Sequence, residues 1–275
     1  MLERSTTIAM AGGGRIPLAP LHKVLFWDDS QMRISGELDL HEQVRSIKLR
    51  KDLILVGLLS KIQVFRLDDF SSVWFTSTCF NEKGLCCMSV DPYPLVVSCP
   101  ASQPGRLLVY YQEKTRTFDG HTSPLACLAM TPEGNYLASA SAKGTLIRVF
   151  DCKRGTFMHE LRRGIDQATV YSLAFHNRGT WLACISDRGT LHIFGLGQNS
   201  LKNKTSAIRV LSRFLPRYFN RVWSFAHYKL TDGKAYCAFY EQSVFVFSDK
   251  GVFYELSFDT VSGGECNLVS KYNIC

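Results

Sequence analysis

The sequence predicts an all-β fold, a β-propeller, on three observations. The first is an internal repeat. Cys127–Asp151 and Ser172–Gly195 share one pattern: Gly134 recurs as Gly179, Ser141 as Ser186, and Gly144-Thr145 as Gly189-Thr190, each 45 residues on. Periods of this length, with turn residues between short strands, are those of propeller blades. The second is a series of six apolar strands that each close on an aromatic: Lys23–Trp27, Lys61–Phe65, Leu107–Tyr110, Ile147–Phe150, Leu191–Phe194 and Val244–Phe247. The third is the lack of any long stretch with helical apolar spacing.

Taken in order, the first unit opens on a strand at Ser5–Met10, with too little chain before it for a full preceding strand. In later units an apolar strand precedes the aromatic one, as at Leu53–Gly57, Leu95–Ser98 and Tyr236–Tyr240. Such strands read as covered on both faces or as alternating. Within the repeated pair, the first copy carries one extra residue before its final aromatic, so Arg148 aligns with His192, 44 residues on. One extra residue in a strand predicts a bulge. The interval from Phe194 to Phe247 is 53 residues, the longest of the series. Its surplus falls in Gly195–Arg221, where Lys202, Lys204 and Arg209 interleave with Ile208 and Leu211. That pattern suits an anionic interface with the cations at head-group level, over about 195–213. It equally suits an ordinary long connection. After Gly263-Gly264 a polar tail, about 261–275, is expected to be loose. Residues 1–275 thus read as a single domain.

Composition narrows the function classes. Apolar residues make up 46% and charged residues 20% of the 275, an ordinary globular balance. No apolar run is long enough to span a bilayer as a helix, and the N-terminus lacks the apolar core of a signal peptide. The ten cysteines are scattered without ligand spacing, so no metal and no cofactor is expected. They read as small buried hydrophobes in a reducing, cytoplasmic setting. A net charge of +8 favours an anionic partner. No nucleophile elbow, phosphate-cradling glycine loop or metal motif is present, so no enzyme is expected.

Between the two repeat copies stands Leu161-Arg162-Arg163-Gly164. Adjacent residues of an extended segment point to opposite faces, so the two arginines would serve two different pockets. Guanidinium forks suit bidentate contact with phosphate oxygens. Two solvated arginines in a turn are the alternative.

These residues, with Lys143–Asp151 before them and Arg188–Phe194 after, resemble the PROPPIN family, the WD-repeat phosphoinositide-binding proteins called WIPI proteins in animals. Gly12-Gly13-Gly14, Val24–Asp29 and Lys83–Cys86 match that family's earlier blades in the right order. Leu161 places the chain nearer members with L-R-R-G than those with F-R-R-G. The resemblance implies a seven-bladed WD-repeat β-propeller with two rim pockets. The head groups would be phosphatidylinositol 3-phosphate and phosphatidylinositol 3,5-bisphosphate. It also implies a bilayer-inserting loop in the blade after the double arginine and an autophagy effector role. The protein would be recruited peripherally to autophagosome-precursor or endosomal membranes, alongside autophagy proteins and without nucleic acid.

Carried over by motif, one pocket would use Arg162 with His121, Ser141, Thr145 and Arg148. The other would use Arg163 with Ser186, Thr190 and His192. Lys202, Lys204, Ile208, Arg209 and Leu211 would belong to the membrane loop. Each has a structural alternative: turn hydrogen bonds for the serines, strand preference for the threonines, a blade-start role for His121, a satisfied strand histidine at His192. Arg148 sits in an apolar strand and needs a partner in either case. About six of seven implied blades are present, so the missing one would precede Met1 in a truncated chain. A WD-repeat protein scaffold without lipid binding is the competing function.

Overall fold

The computed structural model describes residues 6–17, 19–203, 222–231 and 233–274. The described strands form six sheets. The first holds β1 (Thr7–Ala11), β2 (Lys23–Asp28) and β3 (Arg33–Asp39); the second β4 (Ser46–Leu49), β5 (Leu53–Gly57), β6 (Lys61–Arg66) and β7 (Ser72–Ser77). The third holds β8 (Cys87–Met88), β9 (Val96–Pro100), β10 (Arg106–Tyr111) and β11 (Lys114–Asp119). The fourth holds β12 (Leu125–Met130), β13 (Tyr136–Ser141), β14 (Leu146–Asp151) and β15 (Thr156–Arg162); the fifth β16 (Val170–Phe175), β17 (Trp181–Ser186) and β18 (Thr190–Gly195). Short strands β19 (Val222–Trp223) and β20 (Ala226–Lys229) follow; β19 joins the fourth sheet and β20 the fifth. The sixth sheet holds β21 (Ala235–Tyr240), β22 (Ser243–Ser248), β23 (Val252–Ser257) and β25 (Asn267–Asn273), while β24 (Gly264–Glu265) lies against β20. The fold is a β-propeller, and all six aromatic-ended strands read from the sequence occur, one per sheet.

The strands fall into two compact units, Met1–Thr117 and Phe118–Cys275. Within the second, sheets pack face to face. Ala138, Ala140, Ile147 and Val149 of the fourth sheet share a core with Leu182, Cys184 and Phe194 of the fifth. Ala183, Ile185, Leu191 and Ile193, on the fifth sheet's other face, pack with Val244, Val246 and Leu256 of the sixth. β5 and β17 are buried throughout, covered on both faces, and their residues are accordingly almost all apolar or small. The outer strands β7 and β11 are mostly exposed; β11 is correspondingly polar, whereas β7 leaves Val73 and Phe75 at the surface.

Two expectations are corrected. The extra residue of the first repeat copy is not a bulge in β14. Pairing of β13 with β14 runs without a shift from Tyr136↔Asp151 to Ala140↔Ile147, as does β17 with β18 from Trp181↔Gly195 to Ile185↔Leu191. The extra residue is accommodated in the turn, so Thr145 precedes β14 while Thr190 begins β18. A turn absorbs an insertion without breaking ladder hydrogen bonds; a strand does not. The tail expected to be loose instead carries β25, which pairs with β23 from Val252↔Asn273 to Ser257↔Asn267. Its side chains are mostly exposed, so its order comes from backbone pairing with an available edge rather than from apolar burial.

Candidate functional site

The double arginine closes β15. Both side chains are buried, at 2% and 5% exposure, which excludes two solvated turn arginines. The backbone is held from both sides: Arg162 lies opposite Leu146 of β14 and Trp223 of β19, and the Arg163 amide donates to the Thr145 carbonyl at 3.1 Å. Alternation sets the directions. Leu161 packs in the core shared with the fifth sheet. Arg162 therefore faces away from the fifth sheet, and Arg163 faces it. Accordingly, the charges that act on Arg163 include those of Asp187 and Arg188 in the fifth sheet's β17–β18 turn.

The Arg162 face is built from the polar positions of β13, β14 and β15. Ser139 and Arg148 are cross-strand partners, as are Arg148 and Glu160. Arg148 donates from Nε and Nη2 to Glu160 Oε2, at 3.0 and 2.8 Å, and from Nη1 to the Gly120 carbonyl at 2.6 Å. His121 Nε2 lies 3.0 Å from Ser139 Oγ and 3.2 Å from the Ser139 carbonyl. Burial, then the nearby Arg148 charge, lowers the His121 pKa to about 4, so the ring is neutral at physiological pH. The Arg162 guanidinium stands 5.3 Å from the centre of the Trp223 ring. Ser141 and Thr145 are buried nearby in the chain, and the Ser141 carbonyl accepts the Gly144 amide at 2.8 Å.

The Arg163 face belongs to the next junction. Arg163 Nε donates to the Gly144 carbonyl at 2.7 Å and Nη2 to the Asp166 carbonyl. Burial lowers the pKa of this guanidinium. Leu191 and Ile193 point toward the sixth sheet, so Thr190 and His192 point toward the fourth. His192 Nδ1 lies 3.1 Å from Ser224 Oγ. Burial, then the Arg163 charge, lowers its pKa to about 4. Thr190 lies opposite Lys229, whose Nζ donates to the Arg188 carbonyl at 2.7 Å. Ser186 is fully buried, and its hydroxyl accepts the Arg188 amide at 3.4 Å, a turn bond of the kind expected for a small polar residue.

The sequence reading gave no role to Glu160, Trp223, Ser224 or Lys229. Glu160 was within reach of it: Arg148 needed a partner, and a carboxylate two residues before Arg162 shares its face. Trp223, Ser224 and Lys229 follow a long connection and carry no local spacing signal. Of the membrane-loop residues, Lys202 ends a 3-10 helix, Gly197–Lys202, and its Nζ donates to the Thr260 carbonyl at 2.9 Å. Asn203 closes this stretch by bonding both the amide and the carbonyl of Gly195, each at 2.7 Å. Lys204, Ile208, Arg209 and Leu211 lie outside the described residues. A cavity of about 210 Å³, lined by Tyr136, Met158, His159, Arg178 and Asn199, sits at the other end of the same sheets and contains no predicted site residue. Among the described residues no cluster of groups could hold a metal ion, and no helix is long and apolar enough to cross a membrane.

The PROPPIN family model matches residues 37–232. The chain belongs to the PROPPIN family. PROPPINs are autophagy-related, phosphoinositide-binding β-propellers without enzymatic activity. Autophagy-related protein 18e of Arabidopsis thaliana is 32% identical over 283 residues, which cover 99% of this chain and 75% of that protein. Kluyveromyces lactis Hsv2 matches the fold with a TM-score of 0.78 at 19% identity, over 100% of this chain and 85% of its own. A structure of KlAtg21 in complex with the coiled coil of AgAtg16 matches with a TM-score of 0.78 at 19% identity, over 98% of this chain and 83% of its own.

Proposed function

We propose that this PROPPIN is a membrane-recruited autophagy effector that reads phosphatidylinositol 3-phosphate and phosphatidylinositol 3,5-bisphosphate through two pockets, one on each face of the double arginine. One pocket centres on Arg162 with His121, Ser141, Thr145 and Arg148. The other centres on Arg163 with Ser186, Thr190 and His192. One observation supports the reading: two buried neighbouring guanidiniums leave one strand end toward opposite faces, Arg162 on the face that carries Arg148 and Arg163 toward the sheet that carries His192. A solvated motif has no need of that arrangement. Charge-assisted contacts from the arginines would provide most of the attraction, with hydroxyls and imidazoles satisfying the remaining phosphate oxygens. Two weak head-group sites on one rigid body add through effective concentration, so membrane affinity exceeds that of either pocket. The basic connection about 195–213 would add attraction to the lipid surface, and recruitment would be peripheral, to autophagosome-precursor or endosomal membranes.

Liposome co-flotation tests the proposal, with vesicles carrying the 3-phosphate or the 3,5-bisphosphate lipid and a melting curve for each protein. Arg162→Thr with Arg163→Thr is expected to abolish flotation on both while the protein still melts cooperatively. Unchanged flotation of the folded double variant would refute the lipid reading. The likeness to KlAtg21, solved with the AgAtg16 coiled coil, supports a second role, docking of a coiled-coil autophagy protein. That role predicts partner binding that survives the double substitution.

A further inference from the structure

We infer that Glu160 sets the lipid selectivity of the Arg162 pocket by acting as a built-in counter-ion for Arg148. The inference rests on the two-pocket reading above and assigns a ligand class to one pocket. A phosphate site whose second arginine is already matched by a carboxylate is not a neutral design. Arg148 gives two of its nitrogens to one Glu160 oxygen and a third to the Gly120 carbonyl. Both side chains are partly buried, at 29% and 25% exposure, so water screens the pair incompletely. The pairing is imposed by register, since Arg148 and Glu160 are directly opposite in the β14–β15 ladder. Glu160 also shares a face with Arg162, two residues on.

The consequence is a ceiling on negative charge. One phosphate can be met by Arg162 while Arg148 stays with Glu160. A second phosphate reaching Arg148 must displace the carboxylate or sit beside it, and like charges at close range repel. In the Arg163 pocket the arginine donates to the Gly144 and Asp166 carbonyls, and the Asp187 and Asp166 carboxylates act on it through their charge and without a hydrogen bond among the described residues. The Arg162 pocket is therefore the monophosphate pocket.

Glu160→Gln tests this, because glutamine keeps an acceptor for Arg148 and removes the charge. The measurement is surface-plasmon-resonance binding to phosphatidylcholine vesicles carrying either lipid, in an Arg163→Thr background that leaves only the Arg162 pocket. That background should retain 3-phosphate binding. Adding Glu160→Gln should raise affinity for the 3,5-bisphosphate by about tenfold, the scale of one charge-assisted hydrogen bond, and change 3-phosphate affinity by less than about twofold. Adding Arg148→Gln as well should abolish that gain, since no second cation then remains to receive the phosphate. An equal gain on both lipids, or a bisphosphate gain that survives Arg148→Gln, would overturn the inference. If the Arg163→Thr background binds neither lipid while the wild type binds both, the two-pocket reading itself fails, which is a different result. Should Glu160→Gln lower the melting temperature, Glu160→Asp provides the second arm. A shorter carboxylate loosens the pair but keeps its charge, so bisphosphate affinity should rise less than with glutamine; an equal rise would overturn the inference.

Discussion

The two faces of the double arginine are built from the same repeat, yet they solve the problem of a buried cation differently. In the fourth sheet the third strand places Arg148 where the fifth sheet has His192. The arginine needs a counter-charge and takes Glu160. The histidine needs none, because burial keeps it neutral, and it settles beside a serine hydroxyl. Arg163 is held by backbone carbonyls of the β13–β14 turn and of the loop that follows it, whereas Arg162 stands against an indole ring. One scaffold thus carries an ion-paired cation on one side and a carbonyl-held cation on the other. Pocket chemistry in such a repeat protein follows from what occupies a register position, not from the blade that provides it.

The largest test of this contrast is Gly144→Ala. Gly144 has a φ of +61°, and a Cβ there would collide with the carbonyl of Ala168. Its own carbonyl holds Arg163 Nε. Strain and collision together should cost about 2–5 kcal/mol, read as a fall in chemical-denaturation stability. Gly164, beside the arginines in the motif, has open space around its would-be Cβ, and Gly164→Ala should change stability by less than about 0.5 kcal/mol. Equal costs for the two glycines would break the link between the turn and the Arg163 face.

The next effect is on pH dependence. His121 and His192 are both held near 4, below the value of about 6.5 for an exposed histidine. Between those values the unfolded chain binds protons that the folded one refuses, so stability falls as pH drops from about 6.5 toward 4. Going from pH 7 to pH 5 should cost on the order of 1–2 kcal/mol for each histidine. Glutamine at either position should remove that residue's share of the loss. Urea denaturation at the two pH values measures it, and acid sensitivity unchanged in both variants would contradict the burial of the rings.

Much of the fold was legible because it is periodic. The six aromatic-ended strands and the glycine turns recur at nearly fixed spacing, and Gly134, Gly144, Gly179 and Gly189 all take positive φ, as tight turns require. The site was half legible. Alternation sends Arg162 and Arg163 apart, and repeat alignment pairs the hydroxyls of the two copies and sets Arg148 against His192, while His121 came only with the family resemblance. What spacing could not provide was whether a side chain in the right place was already engaged. Arg148 bonds Glu160 through cross-strand register, and His121 bonds Ser139 across eighteen residues, so neither partner shows in the local sequence; Ser186, by contrast, accepts from the Arg188 amide two residues on, the turn bond its residue type already offered. The end strand β25 was missed for a related reason: its order comes from an edge that only the assembled sheet offers.

The smallest expected effect concerns Trp223, which the register places beside Arg162. Its strand β19 is the first described stretch after the connection that begins at β18, and it runs parallel to β15 at the arginine. The indole therefore covers one face of the guanidinium. A cation over an indole contributes about 0.5–2 kcal/mol, more when water is excluded. Trp223→Leu keeps apolar bulk but loses the ring, so it should weaken 3-phosphate vesicle binding by about three- to tenfold with little change in melting temperature. Trp223→Phe retains a π face and should recover part of the loss. The same substitution should leave binding through the Arg163 face untouched when measured in an Arg162→Thr background, because the Trp223 ring lies against Arg162 while its neighbours Val222 and Ser224 are the residues that meet the other face. A Trp223→Leu effect that persists there would mean the indole acts on the whole junction, and the two faces would have to be treated as one site.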